Sequence, residues 1–493
     1  MDKPVHISPM AFIGLTCVMV ASVRMIPDVA ATGWTMFFYT LVAALLYGLP
    51  IALISAEYAC MFPQAGGPEL WMTRALGKNW GFLIAWLLWA QMFPGVVTQG
   101  SSMAALLGET FGIKALATNR LAILACILCE YWTISLLCIH LDMAKLVGKF
   151  GVWLGLYIPA LFIFSLGFAA LIKLILVPGI ISGIQQVSGQ QVPEIQQVSG
   201  TILGPFKAVE LVPSAADSGS LAYFSSILFI FAGIELSSVY IPRLENPRKH
   251  YMKSIMAALI FTFLFAAVLG FLVAAVVPKG TLQLNNIAQA VALFCSVLGL
   301  PDWVWRLFSG ITFFGIAVQG SAWAAGPCKA ITESAKRGMY PPSWKFWKAN
   351  KYNNSKAVIL TQATAVSLVS CIYVLMPDLN SAYLLLLNAA ALLFNIIYII
   401  MIIGIIVLRI RQADIERPFR IGGKSSGNLP LYLTTGILVL TIVSALIGEF
   451  AQCSLSENLV TLGIVLIIVT IPLVIMACRK ETWEIALQNP ILA

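Results

Sequence analysis

Val20–Ala30 reads VASVRMIPDVA, and Phe231–Ser238 reads FAGIELSS. Each stretch lies inside a long apolar run, and each contains what a membrane-spanning helix avoids. The first combines Arg24, Pro27 and Asp28, and the second sets Gly233 and Glu235 beside two serines. A charged side chain at the centre of a spanning helix costs roughly 2.5–3.5 kcal/mol on insertion scales. Proline removes a backbone donor and clashes with the preceding turn. Both segments therefore read as interrupted helices. Irregular backbone at membrane depth is tolerated only where it is buried in protein or lines a cavity, so the two breaks also mark a candidate site.

Working outward, the rest of the chain is built for lipid. It has 493 residues, 60% hydrophobic and only 10% charged, with a mean hydropathy of +0.90. Soluble domains carry about 25% charged residues, so their surfaces could not be solvated here. A span needs roughly 20 mostly apolar residues. That length places spans at Pro9–Ala31, Thr35–Tyr58, Trp80–Leu107, Leu121–Ile139, Phe150–Val177 and Ser220–Ile241. The second half gives Ile255–Val277, Trp303–Ala330, Ala357–Leu375, Ala382–Leu408, Leu429–Phe450 and Leu459–Ala477. The fold class is all-α, a polytopic membrane protein with twelve transmembrane helices. The first run is too long for a cleaved signal peptide.

Orientation follows from the loops. With the N-terminus inside, the outer segments hold only Lys114, Arg120, Lys173, Lys207, Lys279 and Arg306, and Arg24 alone sits within a span. The rest of the 30 Lys and Arg residues fall on the inner side. The positive-inside rule then places both termini in the cytoplasm. The net charge of +9 is thus a topology signal and not a nucleic-acid footprint. The longest outer connection, Pro178–Gly219, repeats IQQVSG at Ile184–Gly189 and Ile195–Gly200 and reads as a weakly ordered loop.

The two breaks lie in the first and sixth spans, five helices apart. Interrupted helices at matching positions of two halves point to a transporter with five-helix repeats and a site near the midplane. An odd number of helices inverts the second half relative to the first. Free amides at a half-helix N-terminus attract a carboxylate, and free carbonyls at a C-terminus attract an ammonium. An amino acid carries both groups. Arg24 and Glu235 are expected to line or gate the path; the alternative is a structural pair, since buried charges usually partner each other. Glu130, alone in the fourth span, reads as a structural hydrogen-bonding group. Glu57, at the inner end of the second, reads as a partner for the loop that follows it.

Four stretches then resemble the amino acid–polyamine–organocation superfamily, in order along nearly the whole chain. They are EYACMFPQAGGPEL (Glu57–Leu70), GIELSS through ENPRKH (Gly233–His250), GPCKAITESAKRGMYPP (Gly326–Pro342) and RPFRIGG (Arg417–Gly423). Within it, VMVASVRMIPDVAATG, FAGIELSSVYIPRLENP, SAWAAGPCK and GKFGVWLGLYIP are similar to the bacterial glutamate/GABA antiporters. The resemblance implies a LeuT-type fold in one transporter domain over residues 1–493. Inverted 5+5 repeats would span about 9–177 and 220–408, followed by two extra helices at about 429–477. It implies exchange of an amino acid, glutamate-like or other, for a related amino acid or amine. Substrate-binding positions carried over are Ala21, Ser22, Val23 and Arg24, then Gly233, Ile234 and Glu235, with Gln319 and Trp323 on one face of the eighth span and Asn395 and Tyr398 in the tenth. Arg24 stands where those antiporters have an uncharged residue. It would favour an acidic substrate, or neutralise Glu235 or Asp28. The short C-terminal tail does not resemble the plug of the acid-resistance antiporters.

The leading expectation is therefore an amino acid antiporter of a bacterial inner membrane, with proton-coupled symport through Glu235 or Lys149 as the alternative. An enzyme is not expected, since no HExxH and no Gly-rich phosphate loop occurs. His6, His140 and His250 are scattered, and the ten cysteines form no paired C-x-x-C pattern. No cofactor, no metal and no nucleic-acid partner are implied. The partners are small-molecule amino acids and the bilayer.

Overall fold

The computed structural model describes residues 7–63, 67–141, 150–177, 200–213, 218–350, 352, 354–376, 378–423 and 426–484. Among these residues the regular structure is helical, with only isolated bridges such as Ile7–Leu244 in the connections. Eleven helices are long and apolar enough to cross a membrane, and a bent pair supplies a twelfth. Span 1 is that pair, Pro9–Val20 and Val23–Ala31, bent by 41°. Spans 2 to 6 are Gly33–Met61, Lys78–Phe111, Arg120–His140, Trp153–Leu176 and Ser220–Arg243. Spans 7 to 12 are Pro247–Val276, Trp303–Lys336, Lys356–Leu375, Leu379–Arg411, Leu429–Ala451 and Leu455–Ala477. Each expected span is present, most within a few residues, though span 7 begins at Pro247, eight residues before the expected Ile255. Span 8 runs past its apolar stretch to Lys336, because a helix can continue beyond lipid once its side chains turn polar. Lys149 and nearly all of the repeated 184–200 segment lie outside the described residues.

Local sequence sets the ends. Ser8 accepts the Ala11 amide at 3.3 Å before Pro9, and Asp378 accepts the Ser381 amide at 2.9 Å before span 10. Ser454 and Glu457 form a reciprocal capping box ahead of span 12. Proline at the first turns of Pro9–Val20, of Pro247–Val276 and of span 11 costs nothing, since those amides have no helical partner.

Burial sorts the spans into a centre and a rim. In its most apolar stretch span 3 is 89% buried, whereas spans 5 and 12 are 22% and 28% buried. Leucine and isoleucine such as Leu161, Leu440 and Leu466 face outward, as lipid requires. Spans 5 and 8 approach backbone to backbone. A side chain at Gly315 would collide with the Leu154 carbonyl, the close contact that small residues allow between membrane helices.

The neighbours are those that two interlocked five-span halves would give. Span 1 packs on span 7, and its counterpart span 6 packs on span 2. Span 3 meets span 10 as span 8 meets span 5; span 3 meets span 9 as span 8 meets span 4. Spans 11 and 12 lie outside this exchange, span 11 against spans 2, 6 and 10 and span 12 against spans 10 and 3.

Candidate functional site

Span 1 breaks at two residues. The last helical bond runs from the Ala21 amide to the Cys17 carbonyl at 2.7 Å, and Ala21 and Ser22 are then extended. The extended pair carries the amides of Val23 and Arg24 away from the carbonyls of Met19 and Val20, which a continuous helix would have satisfied. Val23–Met25 follows as a tight turn, and α-helix resumes at Ile26. Pro27 therefore starts the outer half and does not cause the break, which lies upstream of it. Of the four carried-over positions Ala21–Arg24 the break takes in only the first two, because Val23 and Arg24 already hold helical turn geometry.

Span 6 breaks at the expected glycine. Phe224–Phe229 is α-helical, Gly233 adopts φ 86°, and Ile234–Arg243 continues as a narrower 3₁₀ turn. A left-handed residue mid-span is affordable for glycine because it lacks a Cβ.

A cavity of about 70 Å³, partly open to solvent, lies beside the first break. Met19, Val20, Ser22 and Arg24 line it from span 1, Phe229 and Ala232 from span 6, and Gln319 and Trp323 from span 8. Gln319 donates its amide to the Val18 carbonyl, so it caps the inner half-helix of span 1 while lining the cavity. Arg24 donates from Nη1 to the Thr98 hydroxyl at 3.1 Å. Among the described residues no carboxylate lies within ion-pairing distance of it, so the alternative reading, a pairing with Glu235 or Asp28, does not form.

The remaining expected residues form a second group behind the cavity. Tyr398 accepts the Gly233 amide at 2.7 Å and donates to Glu235 Oε2 at 3.0 Å, while Glu235 Oε1 is buried without a partner. Tyr47 donates to Asn395 at 2.9 Å, and its ring meets that of Tyr398 edge-on. Ala21, Val23 and Ile234 are buried and do not line the cavity. The structure thus splits the eleven expected positions, with Ser22, Arg24, Gln319 and Trp323 at the cavity and Gly233, Glu235, Asn395 and Tyr398 in the network supporting span 6.

Sequence reasoning missed an entire wall. Gln91, Met92, Gly95, Val96 and Gln99 of span 3 line the cavity, as does Phe394 of span 10. The signal was the polar run TQGSS (Thr98–Ser102) inside an apolar helix. Uncharged, it carries too small an insertion cost to break the hydropathy pattern.

The motifs converge elsewhere. Glu57 is held by Arg409 of span 10, with Arg417 at 3.6 Å and the Ile421 amide at 2.9 Å. Its partners are therefore distant in the chain, and not in the loop that follows it. Glu69 pairs with Arg337 at 3.3 Å.

The amino acid permease family profile matches residues 7–471. The chain is 28% identical over 440 residues to an uncharacterised transporter of Legionella pneumophila, across 88% of this chain and 87% of the relative. It is 26% identical over 462 residues to a glutamate/gamma-aminobutyrate antiporter of Lactococcus lactis, across 92% and 85%. A probable agmatine/putrescine antiporter of the same species is 24% identical over 491 residues, across 97% and 96%. With its many apolar spans, its broken first and sixth helices and a profile match over nearly its whole length, the chain belongs to the amino acid permease family, a multi-pass membrane transporter of the amino acid–polyamine–organocation superfamily.

Proposed function

We propose that this transporter exchanges amino acids across a bacterial inner membrane, with both termini cytoplasmic. Residues of about 9–177 and 220–408 move against each other around the broken spans, and the helices at about 429–477 stand outside that movement. The observation that carries the reading is the cavity at the span 1 break. It brings together Met19 and Val20, whose carbonyls accept no backbone bond across the break among the described residues, a guanidinium at Arg24 and the aromatic ring of Trp323. The carbonyl end suits an α-ammonium, and the amide of Arg24 suits an α-carboxylate.

Arg24 supports an acidic side chain on the substrate. Its one protein acceptor among the described residues is the neutral Thr98 hydroxyl, which leaves donors for an incoming carboxylate. A charge-assisted, two-pronged contact with a carboxylate is stronger than a neutral one. A glutamate-like amino acid therefore fits better than a purely cationic one, with its counter-substrate a related amino acid or amine.

The test is entry of labelled glutamate, arginine or alanine into proteoliposomes, either empty or preloaded with unlabelled amino acids. Entry that needs a loaded interior and ignores a protonophore supports exchange. Accumulation in empty vesicles that collapses with the protonophore replaces exchange with symport, and no entry by folded protein ends the amino acid reading.

A further inference from the structure

A second recess, of about 10 Å³ and so with room for about one water-sized occupant, lies between spans 3, 4 and 8 and shares Val96 and Gln99 with the larger cavity. Gln99 is the partition between them. Its amide donates to the Ile316 carbonyl at 2.7 Å, and it fits because position 320 is glycine; a Cβ there would collide with it. Glu130 lines the recess. One of its oxygens accepts the Cys126 thiol at 3.3 Å, and the other is buried without any partner.

What faces Glu130 is uncharged. Its own helix presents Cys126 and Tyr131; span 3 presents Val96, Gln99, Gly100 and Met103; span 8 presents Gly320. Span 9 packs on span 4 through Gln362 and Ser367, which bond Tyr131 and Trp132. Among the described residues no lysine, arginine or histidine lies within ion-pairing distance of this carboxylate. A carboxylate at membrane depth is costly unless paired. Among the described residues none supplies a cationic partner, so one must come from outside.

We propose that the recess is a monovalent-cation site, in which Glu130 takes up a proton or an alkali-metal ion and Gln99 links its occupancy to the substrate cavity. Tyr131, whose hydroxyl accepts the Gln362 amide, and the Gln99 side chain are the other polar groups at hand. The proposal needs the transport reading only for its first readout.

Wild-type and Glu130→Gln proteoliposomes are loaded with unlabelled amino acids. Entry of labelled glutamate or alanine is followed with no ion gradient, with an inward proton gradient, and with an inward sodium gradient. One gradient is expected to raise wild-type entry several-fold, and the ratio is expected to fall to one in the variant while exchange without a gradient continues. The responding gradient tells proton from metal ion. No response in wild type, or an unchanged ratio in the variant, overturns the proposal. If the variant is silent, or if no amino acid enters at all, carbodiimide labelling of wild-type protein decides. Label at Glu130 that sodium blocks or rising pH suppresses supports the site, and label indifferent to both overturns it. That second arm separates failure of this site from failure of the transport reading.

Discussion

Arg409 grips Glu57 with two parallel hydrogen bonds of 2.6 Å, from Nε to Oε1 and from Nη2 to Oε2, across 352 residues of sequence. Both side chains are almost wholly buried. The pair ties the end of span 2 to the end of span 10, and the Ile421 amide adds the loop ahead of span 11 to the same carboxylate. Planar two-pronged geometry of this kind needs arginine; lysine cannot reproduce it. Removing one partner of a buried pair leaves an uncompensated charge and costs about 3–5 kcal/mol. Arg409→Ala should therefore lower the thermal stability of the detergent-purified protein sharply, and Glu57→Gln nearly as much. A melting temperature within a degree or two of wild type for Arg409→Ala would show that the pair is dispensable.

The Arg24 guanidinium tests the substrate reading. A hydrogen bond to a charged group contributes about 1.5–3 kcal/mol, so Arg24→Gln should weaken glutamate entry roughly ten- to a hundred-fold at low concentration. Entry of alanine, which has no side-chain carboxylate, should change far less. Equal losses for the two would mean that Arg24 only shapes the helix break.

Gly233 separates a backbone effect from a steric one. A Cβ there would sit 3.6 Å from Trp323 and from Phe394, ordinary contact distances, so space is not the obstacle. The obstacle is φ 86°, which costs a residue with a side chain about 1–2 kcal/mol. Gly233→Ala should fold with a modestly lower melting temperature and slower exchange. Gly233→Asn, better tolerated in the left-handed region, should recover part of the loss. Identical behaviour of the two variants would place the glycine's role outside its backbone angle.

Much of this was legible in sequence because lipid is a strict solvent. Twelve apolar runs of the right length can be little else, and Arg24 and Gly233 announced the two breaks by violating the pattern. Pro27 misdirected the first break by a turn, since proline at a helix start and proline as a helix breaker look alike in sequence. Thr98 and Gln99 gave no comparable signal, being cheap to bury once bonded to a neighbouring backbone. The partner of Glu57 was hidden for another reason: a carboxylate names the charge it needs and not the distant turn that supplies it. Gln319 was found for its place on the face of span 8, while its bond to Val18 depends on a break elsewhere in the chain.

Glu69 lies outside the spans, in the short helix Pro68–Leu76. Burial lifts its carboxyl above the ordinary value of 4.5, against the opposing pull of Arg337 and Ser334. The folded protein thus holds this proton more tightly than the unfolded chain does. The stability the group contributes is complete below about 4.5 and is lost as pH rises through the higher folded value. Glu69→Gln should flatten the decline in melting temperature measured upward from about pH 5, and Arg337→Ala should extend it to higher pH. A slope unchanged by Glu69→Gln would assign the pH dependence to other groups.

Tyr398 makes the sharpest test of the network behind the cavity, because a single oxygen serves two elements. It accepts from the Gly233 amide and donates to Glu235. Tyr398→Phe keeps the ring, and with it the edge-on contact to Tyr47 and the stacking on Phe394. It strips the partner from a backbone amide at the break and from a carboxylate whose other oxygen is already unpartnered. Each buried group left unsatisfied costs about 1–3 kcal/mol, so the variant should lose several kcal/mol of stability or reorganise span 6. Tyr47→Phe removes only the bond to Asn395 and should lose about half as much. If the network supports the span 6 bend that the exchange cycle uses, Tyr398→Phe should slow maximal exchange more than it raises the half-saturating substrate concentration. The opposite split, with affinity lost and maximal rate kept, would move Tyr398 from the scaffold into direct contact with substrate.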